Sequence, residues 1–593
     1  MPVLWQALGF IHMLFLAYFL LHLVIYTLFR VQFLIWNWSE LKNLSFNDFC
    51  TAFLFGLRFD LSAVALPVAV FLLGWLWLEK TGKLKKTWTW LFTLLNCFLI
   101  ALNLGDSELL NFTARRFTKS SFFLFKEAQI SNLVTPYLTM FALTVLLWVV
   151  YIFAIEKLTT RELKIKSLKL KGMFSFGMVV LAVIFSRGGL QVKPLTYVDA
   201  KIFDQSYANN LVLNSTFTLF RSFGKPAVER LHFFDNEKML SLLNEQDIPS
   251  TFQARSEPKP MNVVYVFLES FSKEYLDLKN PEVTPYLNSL RRRGADFTNT
   301  YANGRRSIEG VAALLSGIPA LMEEPFINSE FSANQVIGLG TILSANHYHT
   351  SFFHGAQNGS MHFDQFMKSV GIQNYFGKNE YPKAGDDDGT WGIYDEPFLQ
   401  WTCQELTKFK TPFFTSIFTL TSHQPFQIPA AYRDRFKDDR LPILKAIQYS
   451  DYALEQFMKC AETQAWYANT LFILTADHTG PELQASSPFE SRFQVPLVFF
   501  HADPRVLSNL NTRQFAQHID VLPTLLETLQ IPLKNKNYLA RSLWRPGDKV
   551  IALYNDGRYE LIGQVKEPKE QLKAVQQYFS EGLFDNRLYY PVK

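Results

Sequence analysis

The stretch NVVYVFLES, residues 262–270, is a run of β-branched and aromatic side chains that ends in the carboxylic acid Glu269. Continuous apolar runs of this length are typical of strands that are buried on both faces of a parallel sheet. Pro258 and Pro260 lie just before the run and interrupt any regular structure there. The stretch therefore predicts a central strand near the start of a domain.

Further apolar runs downstream favour strands of the same sheet, and stretches of helical pattern separate them. They are TSFFHG (350–355), FFTSIFTLTSH (413–423), TLFILTADH (470–478) and VPLVFF (495–500). Strands that alternate with helices are typical of an α/β fold with a central, largely parallel sheet. We expect this domain to span residues 261–593.

The part of the chain before this domain consists mostly of Leu, Phe, Val and Trp runs. A helix needs about 20 apolar residues to cross a bilayer. Five segments approach or exceed this length, namely 7–29, 52–78, 88–104, 133–155 and 172–186. The sequence therefore predicts an N-terminal five-helix transmembrane bundle at 1–190, followed by an amphipathic connector at 191–260.

Basic residues indicate how these helices are oriented. Lys and Arg cluster at 80–86 and at 157–171, after the second and the fourth segment. The positive-inside rule assigns both loops to the cytoplasm, so five spans leave everything after about residue 187 outside it. The formal net charge of +5 is largely explained by such loops. The rest of the chain has no basic stripe interleaved with aromatics, so we expect no nucleic-acid partner.

Side chains of the kinds that bind metal ions follow several of the predicted strands. Glu269 follows the first strand, Asp477 and His478 follow the strand at 470–476, and His423 follows the strand at 413–420. The carboxyl ends of parallel strands meet at one edge of a sheet, so we expect these groups to lie together. Taken singly, each could be a solvated loop residue or a cap. Together they predict a site for Mn²⁺, Zn²⁺ or Mg²⁺.

The segment YANGRRSIEGVAALLSGIP, residues 301–319, supplies a candidate nucleophile. Ser307 opens its helical pattern, and Arg305 and Arg306 stand directly before it. A hydroxyl at a helix N-terminus faces free backbone N–H groups and the positive end of the helix dipole, which suit a phosphate. The alternative is that Ser307 is an ordinary N-cap, so its catalytic role depends on the metal site beside it.

Several stretches together resemble the alkaline phosphatase superfamily, and most of all its lipoteichoic-acid-synthase-like phosphoglycerol transferase branch. They are NVVYVFLES, NGRRSIEGVAALLSG, FFHG, TLTSHQPF, FILTADHTGP and QHIDVLPTLLE, in that order. The branch also has five N-terminal spans, so the resemblance covers nearly the whole chain. It implies a sulfatase-like catalytic domain on the periplasmic side of a bacterial cytoplasmic (inner) membrane.

The resemblance also implies a site. One divalent ion, most commonly manganese, with Mg²⁺ and Zn²⁺ as alternatives, would be held by a set of four residues. That set is Glu269, Ser307, Asp477 and His478. Ser307 stands in the place of the family's nucleophilic Thr and keeps its hydroxyl. His423 would bind the substrate phosphate, His354 of FHG would lie in the same pocket, and Arg306 would stabilise developing charge.

One departure from the family concerns recognition of glycerol phosphate. In the Gram-positive lipoteichoic acid enzymes, a Trp and an Arg shortly after FHG contact the phosphoglycerol group. Met361 and Phe363 stand near those places here. This difference argues against recognition of glycerol phosphate as the head group and does not affect the expected metal chemistry.

The resemblance implies transfer of a phosphoglycerol-type group from a phospholipid, phosphatidylglycerol, to a glycan, lipid or water acceptor through a phosphoserine. The alternatives are a phosphoethanolamine transferase, another phosphatase-like or sulfatase-like hydrolase, and a non-catalytic lipid-binding regulator. A sulfatase needs Cys/Ser-x-Pro-x-Arg, which SIEG at 307–310 does not match. Phosphoethanolamine transferases usually carry several disulfides, whereas Cys403 and Cys460 allow one at most, and these two could equally remain buried thiols. Non-catalytic relatives have lost metal ligands that survive here.

Overall fold

The computed structural model of the chain describes residues 2–78, 82–113, 116–119, 138–159, 167–191, 194–203, 206–223, 228–243, 260–410, 412–483, 488–545, 549–555 and 557–591. The chain divides into two compact units, one mainly Met1–Pro226 and the other mainly Ala227–Lys593. Several residues behind the orientation prediction lie outside the described parts, among them Lys80 and 160–166, and so does much of the predicted connector after residue 243.

The first unit is helical. Its helices are α1 (Pro2–Trp36), α2 (Trp38–Leu41), α3 (Phe46–Trp77), α4 (Gly82–Thr113), α5 (Leu138–Thr159), α6 (Leu168–Ser186), α7 (Ser206–Val212) and α8 (Ser215–Ser222). Five of them, α1 and α3 to α6, are long and apolar enough to cross a membrane, which confirms the predicted number. The predicted segments 88–104 and 172–186 were too short, because α4 and α6 continue through lysines and carboxylic acids beyond their apolar parts.

The first part of the predicted connector packs inside this unit. Leu211, Val212 and Phe217 of α7 and α8 are buried in the same apolar core as Phe33 of α1 and Phe59 of α3. Apolar contact of this kind fixes a short helix that its own length could not stabilise. The boundaries at 190 and 260 stay predictions.

The second unit is built around a seven-stranded sheet with the order β2-β8-β7-β1-β6-β4-β5. Its strands are β1 (Asn262–Leu268), β2 (Ala295–Asp296), β4 (His349–His354), β5 (Asn374–Phe376), β6 (Phe413–Phe418), β7 (Thr470–Ala476) and β8 (Leu497–Phe500). β1 lies in the middle and pairs in parallel with β6 and β7. Within this sheet β8 pairs antiparallel with both β7 and β2, so β8 alone runs against the other described strands. The predicted α/β domain with a largely parallel sheet is confirmed.

Helices and short strands surround this sheet. The helices are α9 (Asn236–Leu242), α10 (Lys273–Leu276), α11 (Pro285–Arg293), α12 (Ser307–Ser316), α13 (Leu339–Ser344), α14 (Phe363–Ser369), α15 (Asp395–Leu406), α16 (Leu444–Glu462), α17 (Val521–Thr528) and α18 (Pro568–Phe584). The remaining strands are β3 (Asn299–Tyr301), β9 (Phe515–Gln517), β10 (Asn535–Lys536), β11 (Val550–Asn555), β12 (Arg558–Gly563) and β13 (Tyr590–Pro591). Cys403 of α15 and Cys460 of α16 form a disulfide, which resolves the alternative that the sequence left open.

Candidate active site

The ends of β1 and β7 bring three metal-binding side chains together. Leu268 and Ala476 pair across the two strands, so Glu269 and Asp477 leave the sheet side by side. Each of Glu269, Asp477 and His478 offers one ligand atom within 4.8 Å of the others. The Nε2 atom of His478 lies 3.5 Å from Glu269 Oε1 and 3.3 Å from Asp477 Oδ2. Three of the four groups predicted for this edge of the sheet therefore lie together.

Hydrogen bonds with neighbouring backbone and hydroxyl groups hold Glu269 and Asp477 in place. The Glu269 N–H donates to the Thr419 hydroxyl at 2.9 Å, and the Ser270 N–H donates to Asp477 Oδ1 at 2.9 Å. The Ser270 hydroxyl donates to Glu269 Oε1 at 2.6 Å. Ser270 adopts a φ of 60°, a conformation uncommon for a residue other than glycine. Backbone strain of this kind occurs where a site fixes its side chains precisely.

Electrostatics in the cluster favour a bound cation. Burial, followed by the charge of Glu269, raises the pKa of Asp477 to about 7. Burial alone would lower the pKa of His478, but Asp477 and Glu269 outweigh it, so the pKa of His478 is raised. Asp477 Oδ2 makes no hydrogen bond to the described residues, although His478 Nε2 is nearby. Two buried carboxylates with an unsatisfied oxygen fit a divalent metal ion.

The orientation of the imidazole fits the same conclusion. The Nδ1 atom of His478 lies 2.8 Å from the Thr479 carbonyl oxygen, so the Nδ1–H donates there. The other nitrogen, Nε2, then faces the two carboxylates. Histidine ligands of metals are commonly oriented by such a hydrogen bond to the opposite ring nitrogen. The cluster is thus a candidate metal-binding site.

Ser307 joins this cluster from α12. Its hydroxyl donates to Glu269 Oε2 at 3.1 Å and lies 3.2 Å from His478 Nε2. Arg306 occupies the N-cap and Ser307 is the first helical residue, so the ordinary N-cap alternative for Ser307 is wrong. A Cβ atom on Gly310 would lie 2.2 Å from the Asp477 carbonyl oxygen. Glycine at this position therefore lets α12 pack directly against the end of β7.

The two arginines before Ser307 are held by different partners. Arg305 donates to the Thr479 hydroxyl and to the Arg492 carbonyl. The guanidinium of Arg306 binds the Glu309 carboxylate and the carbonyl oxygen of Glu323, the latter at 2.8 Å. Arg306 thus caps the start of α12, and its predicted role in binding substrate stays a prediction.

His423 lies beyond the end of β6, and His354 is the last residue of β4. β6 ends at Phe418, so the strand predicted to reach residue 420 was too long. Burial lowers the pKa of His423, and the charge of His478 lowers it further. His354 is fully buried, and burial followed by the charge of His423 lowers its pKa to about 3. Both imidazoles are therefore neutral near pH 7, and His354 is packed on Phe418 with ring centroids 5.0 Å apart. Their roles toward a substrate stay predictions.

Asp395 explains why the chain leaves β6 early. Its Oδ1 atom accepts the N–H groups of Leu420 at 2.6 Å and Thr421 at 3.1 Å. These bonds turn the backbone away from the sheet and toward His423. Asp395 is a positioning residue that sequence analysis did not select, because it lies at the start of a different element, α15.

Trp391 is a second residue that sequence reasoning missed. Its ring centroid lies 3.7 Å from that of His423, and its indole N–H donates to the Gln424 carbonyl. Asp388 holds the turn that carries Trp391 by accepting three consecutive backbone N–H groups through Oδ1. The motif DDDGTWG (386–392) predicts such a turn, but no spacing rule connects it to residue 423.

Comparison with known proteins finds similar chains for the region that contains this site. The sulfatase family matches residues 261–531. Phosphoglycerol transferase I of Citrobacter koseri is 30% identical over 259 residues, which are 40% of this chain and 33% of that protein. Lipoteichoic acid synthase of Staphylococcus aureus is 23% identical over 367 residues, 55% of this chain and 56% of that protein. The chain thus spans between a third and a little over half of the length of these relatives.

A solved structure supports the same fold. A protein of the alkaline phosphatase superfamily from Vibrio parahaemolyticus has a TM-score of 0.52 and 24% sequence identity. The match covers 61% of this chain and 98% of that one. Together with the strand order and the family match, this likeness shows that the second unit has the alkaline-phosphatase-like fold. The region that matches the sulfatase family, residues 261–531, lies in this unit and is named the sulfatase-family domain.

Proposed function

We propose that the chain is a membrane-anchored phosphotransferase that moves a phosphoglycerol-type group from a phospholipid to a glycan, lipid or water acceptor. The observation that carries this proposal is the position of Ser307 Oγ, 3.1 Å from Glu269 Oε2 and 3.2 Å from His478 Nε2. A buried hydroxyl at a helix N-terminus, beside a candidate metal site, has the surroundings of an activated nucleophile. Relatives named phosphoglycerol transferase and lipoteichoic acid synthase support phosphatidylglycerol as the donor.

The same four residues would hold the metal ion of the superfamily, namely Glu269, Ser307, Asp477 and His478. When bound, a divalent cation lowers the pKa of a coordinated hydroxyl and neutralises charge on phosphoryl oxygens. Manganese is the ion the resemblance implies, with Mg²⁺ and Zn²⁺ as alternatives. Two carboxylates and one imidazole suit any of these three ions.

The residues of this chain then carry a two-step reaction. Ser307 Oγ would attack phosphorus in line while the bond from phosphorus to the diacylglycerol oxygen breaks. The hydroxyl proton would pass to that oxygen, diacylglycerol would leave, and the glycerophosphoryl group would remain on Ser307 as a substituted phosphoserine. An acceptor hydroxyl attacks that phosphorus next and releases Ser307. The N-terminus of α12 faces the phosphoryl group with its positive dipole end. His423, His354 and Arg306 would bind the phosphate and stabilise its developing charge.

The surroundings of the domain support action on a membrane lipid. Five apolar helices precede it, so a lipid donor would be supplied at the membrane surface. The Cys403–Cys460 disulfide supports an oxidising compartment, in line with a periplasmic domain. We propose an inner-membrane protein with transmembrane residues 1–190, a connector at 191–260 and a catalytic domain at 261–593. The helices at 206–222 would anchor the connector to the membrane unit.

One observation favours a second candidate. Phe363, which stands near the family's head-group arginine, is fully buried and packs against His354 with ring centroids 5.4 Å apart. A buried phenylalanine offers no charge to a glycerol phosphate. A phosphoethanolamine transferase or a phosphodiester hydrolase with the same nucleophile is therefore the alternative.

Turnover of labelled phospholipids tests the proposal. The full chain in detergent with Mn²⁺ should release diacylglycerol from phosphatidylglycerol, and release from phosphatidylethanolamine instead would select the second candidate. Ser307→Ala should reduce release by several orders of magnitude, as loss of a covalent nucleophile does. Ser316→Ala, at the other end of α12, is the matched control and should keep wild-type turnover. Turnover above about a tenth of wild type in Ser307→Ala would exclude Ser307 as the nucleophile.

A further inference from the structure

A cavity of 630 Å³ opens in the segment that follows His423. We name it the Arg433 cavity; its lining includes Gln427, Arg433, Phe436, Asp439 and Lys445. Its volume is in the range of binding sites for small organic ligands. None of these residues belongs to the candidate active site described above.

The cations of the Arg433 cavity differ in how they are compensated. Lys437 pairs with Asp434 at 3.0 Å, and Asp438 is bound by Arg440, whose Nε lies 2.9 Å from Oδ1. Arg433 and Lys445 form no ion pair within the part of the chain that the structure describes. Two such cations facing one cavity favour an anionic group, and arginine suits the oxygens of a phosphate in particular.

The walls of the Arg433 cavity also suit a ring with hydroxyl groups. Phe436 is partly exposed and stacks on Tyr432, with ring centroids 6.0 Å apart. Tyr449 and Tyr452 pack behind Phe436 and fix its orientation. The Asp439 carboxylate can accept hydrogen bonds from hydroxyls, and the Gln427 amide can both donate and accept them. An aromatic face next to such groups can hold the apolar face and the hydroxyls of a sugar ring at once.

The Arg433 cavity is close to the proposed chemistry along the chain. Four peptide units separate His423 from Gln427, so their Cα atoms are at most about 14 Å apart. A saccharide of two or more rings that is bound in the cavity can span such a distance toward His423.

We propose that the Arg433 cavity binds a phosphate-bearing saccharide, which is the acceptor of the transferred group. This proposal rests on the proposed function. The acceptor hydroxyl forms the new bond to phosphorus while the bond from phosphorus to Ser307 Oγ breaks, and the hydroxyl proton passes to Ser307 Oγ. Phe436 holds the sugar ring, and Arg433 and Lys445 hold its phosphate.

Direct binding tests the cavity without depending on turnover. Maltose 1-phosphate, maltose and inorganic phosphate are titrated separately into the full chain in detergent. Maltose 1-phosphate should bind at least about tenfold more tightly than either maltose or phosphate alone, because it uses both parts of the cavity. The Arg433→Ala/Lys445→Ala double variant should weaken its binding by about tenfold or more. Phe436→Ala should weaken binding of maltose and maltose 1-phosphate alike and leave inorganic phosphate unchanged.

A matched control and two contrary outcomes complete the test. Lys459→Ala removes a lysine near the other end of α16, where it pairs with Glu455, and should bind maltose 1-phosphate like the wild type. Equal affinity for inorganic phosphate and maltose 1-phosphate would overturn the saccharide assignment. Unchanged affinity in the double variant would overturn the site altogether. If the wild type releases no diacylglycerol from any phospholipid, the proposed function fails, whatever the titrations show.

Discussion

Two buried clusters of charge in this molecule are satisfied in opposite ways. In the first, helical unit, named the membrane unit here, Arg30 of α1 binds both carboxylate oxygens of Asp60 on α3, at 2.7 and 2.9 Å. Its Nε and Nη2 atoms also donate to the carbonyls of Leu211 and Val212, and Asn214 donates to Asp60. In the sulfatase-family domain, by contrast, Glu269 and Asp477 converge on the imidazole of His478, and Asp477 Oδ2 makes no hydrogen bond within the described part of the chain.

The difference separates a structural cluster from a site. The Arg30–Asp60 cluster contains equal and opposite charges whose donors and acceptors are matched, so it needs nothing further. Two buried carboxylates beside each other are unfavourable unless a cation compensates them. The two carboxylates of the second cluster are therefore stable in this position only if a cation binds or if one of them is protonated. A bound cation would lie next to the Ser307 hydroxyl, which it could activate.

The largest effect is expected from Asp477→Asn, which keeps the shape of the side chain and removes half of the negative charge. Metal content and diacylglycerol release should fall together, and release should fall by about a thousandfold, equivalent to ~4 kcal/mol of barrier. Chelation of the wild-type protein should have the same effect, and added Mn²⁺ should restore turnover. Full metal content in Asp477→Asn, measured by elemental analysis, would remove Asp477 from the metal site.

Substitutions in the Arg30–Asp60 cluster should change the free energy of unfolding. Arg30→Leu leaves Asp60 buried without its partner and should destabilise the membrane unit by about 3 kcal/mol. The double variant Arg30→Leu/Asp60→Leu removes both charges and should recover much of this loss, because no unpaired charge remains. Thermal unfolding in detergent measures both. A double variant as unstable as Arg30→Leu would show that the pair does more than balance its own charges.

The extent to which the sequence foretold this structure differs between the two clusters. Apolar periodicity and length were enough for five spans and for the buried strands, because burial on both faces leaves a continuous apolar run. The residues at the ends of β1 and β7 were equally predictable, since Glu269 and Asp477 directly follow those apolar runs. Helix ends were less accurate, because α4 and α6 extend through polar residues that a hydropathy pattern excludes.

Contacts between residues far apart in sequence were not predictable. The pairing of Arg30 with Asp60 and of Trp391 with His423 depends on how elements pack, which local patterns do not encode. The Cys403–Cys460 disulfide could only be offered as one of two alternatives, because its formation depends on α15 lying beside α16. Asp395 was missed for the same reason, since its partners belong to the turn after β6.

The disulfide is a third kind of buried pairing, and its loss should have a smaller effect. Cys403→Ser should lower the stability of the sulfatase-family domain by about 2 kcal/mol, because the unfolded chain gains freedom. Thermal unfolding with and without reductant measures this change. Cys50→Ser, which removes an exposed free cysteine, is the matched control and should be neutral. Unfolding of the wild type that is insensitive to reductant would contradict the disulfide.

The smallest effect is expected from Trp391, which touches the site from outside the charged cluster. Trp391→Ala removes the ring that packs on His423 and should raise the KM for phospholipid by about three- to tenfold, ~1 kcal/mol. Trp391→Phe keeps an aromatic ring there and should retain most of the affinity. A fall in kcat with unchanged KM would instead assign Trp391 to the chemical step.

The central claim is that Ser307 forms a covalent phosphoryl intermediate within the Glu269, Asp477 and His478 cluster. Its most direct test is peptide mass spectrometry of the full chain, quenched in acid during turnover of phosphatidylglycerol. The account predicts a glycerophosphoryl adduct on Ser307 in the wild type and no adduct in Ser307→Ala. Steady diacylglycerol release by the wild type without any adduct on Ser307, and with turnover retained in Ser307→Ala, would contradict it.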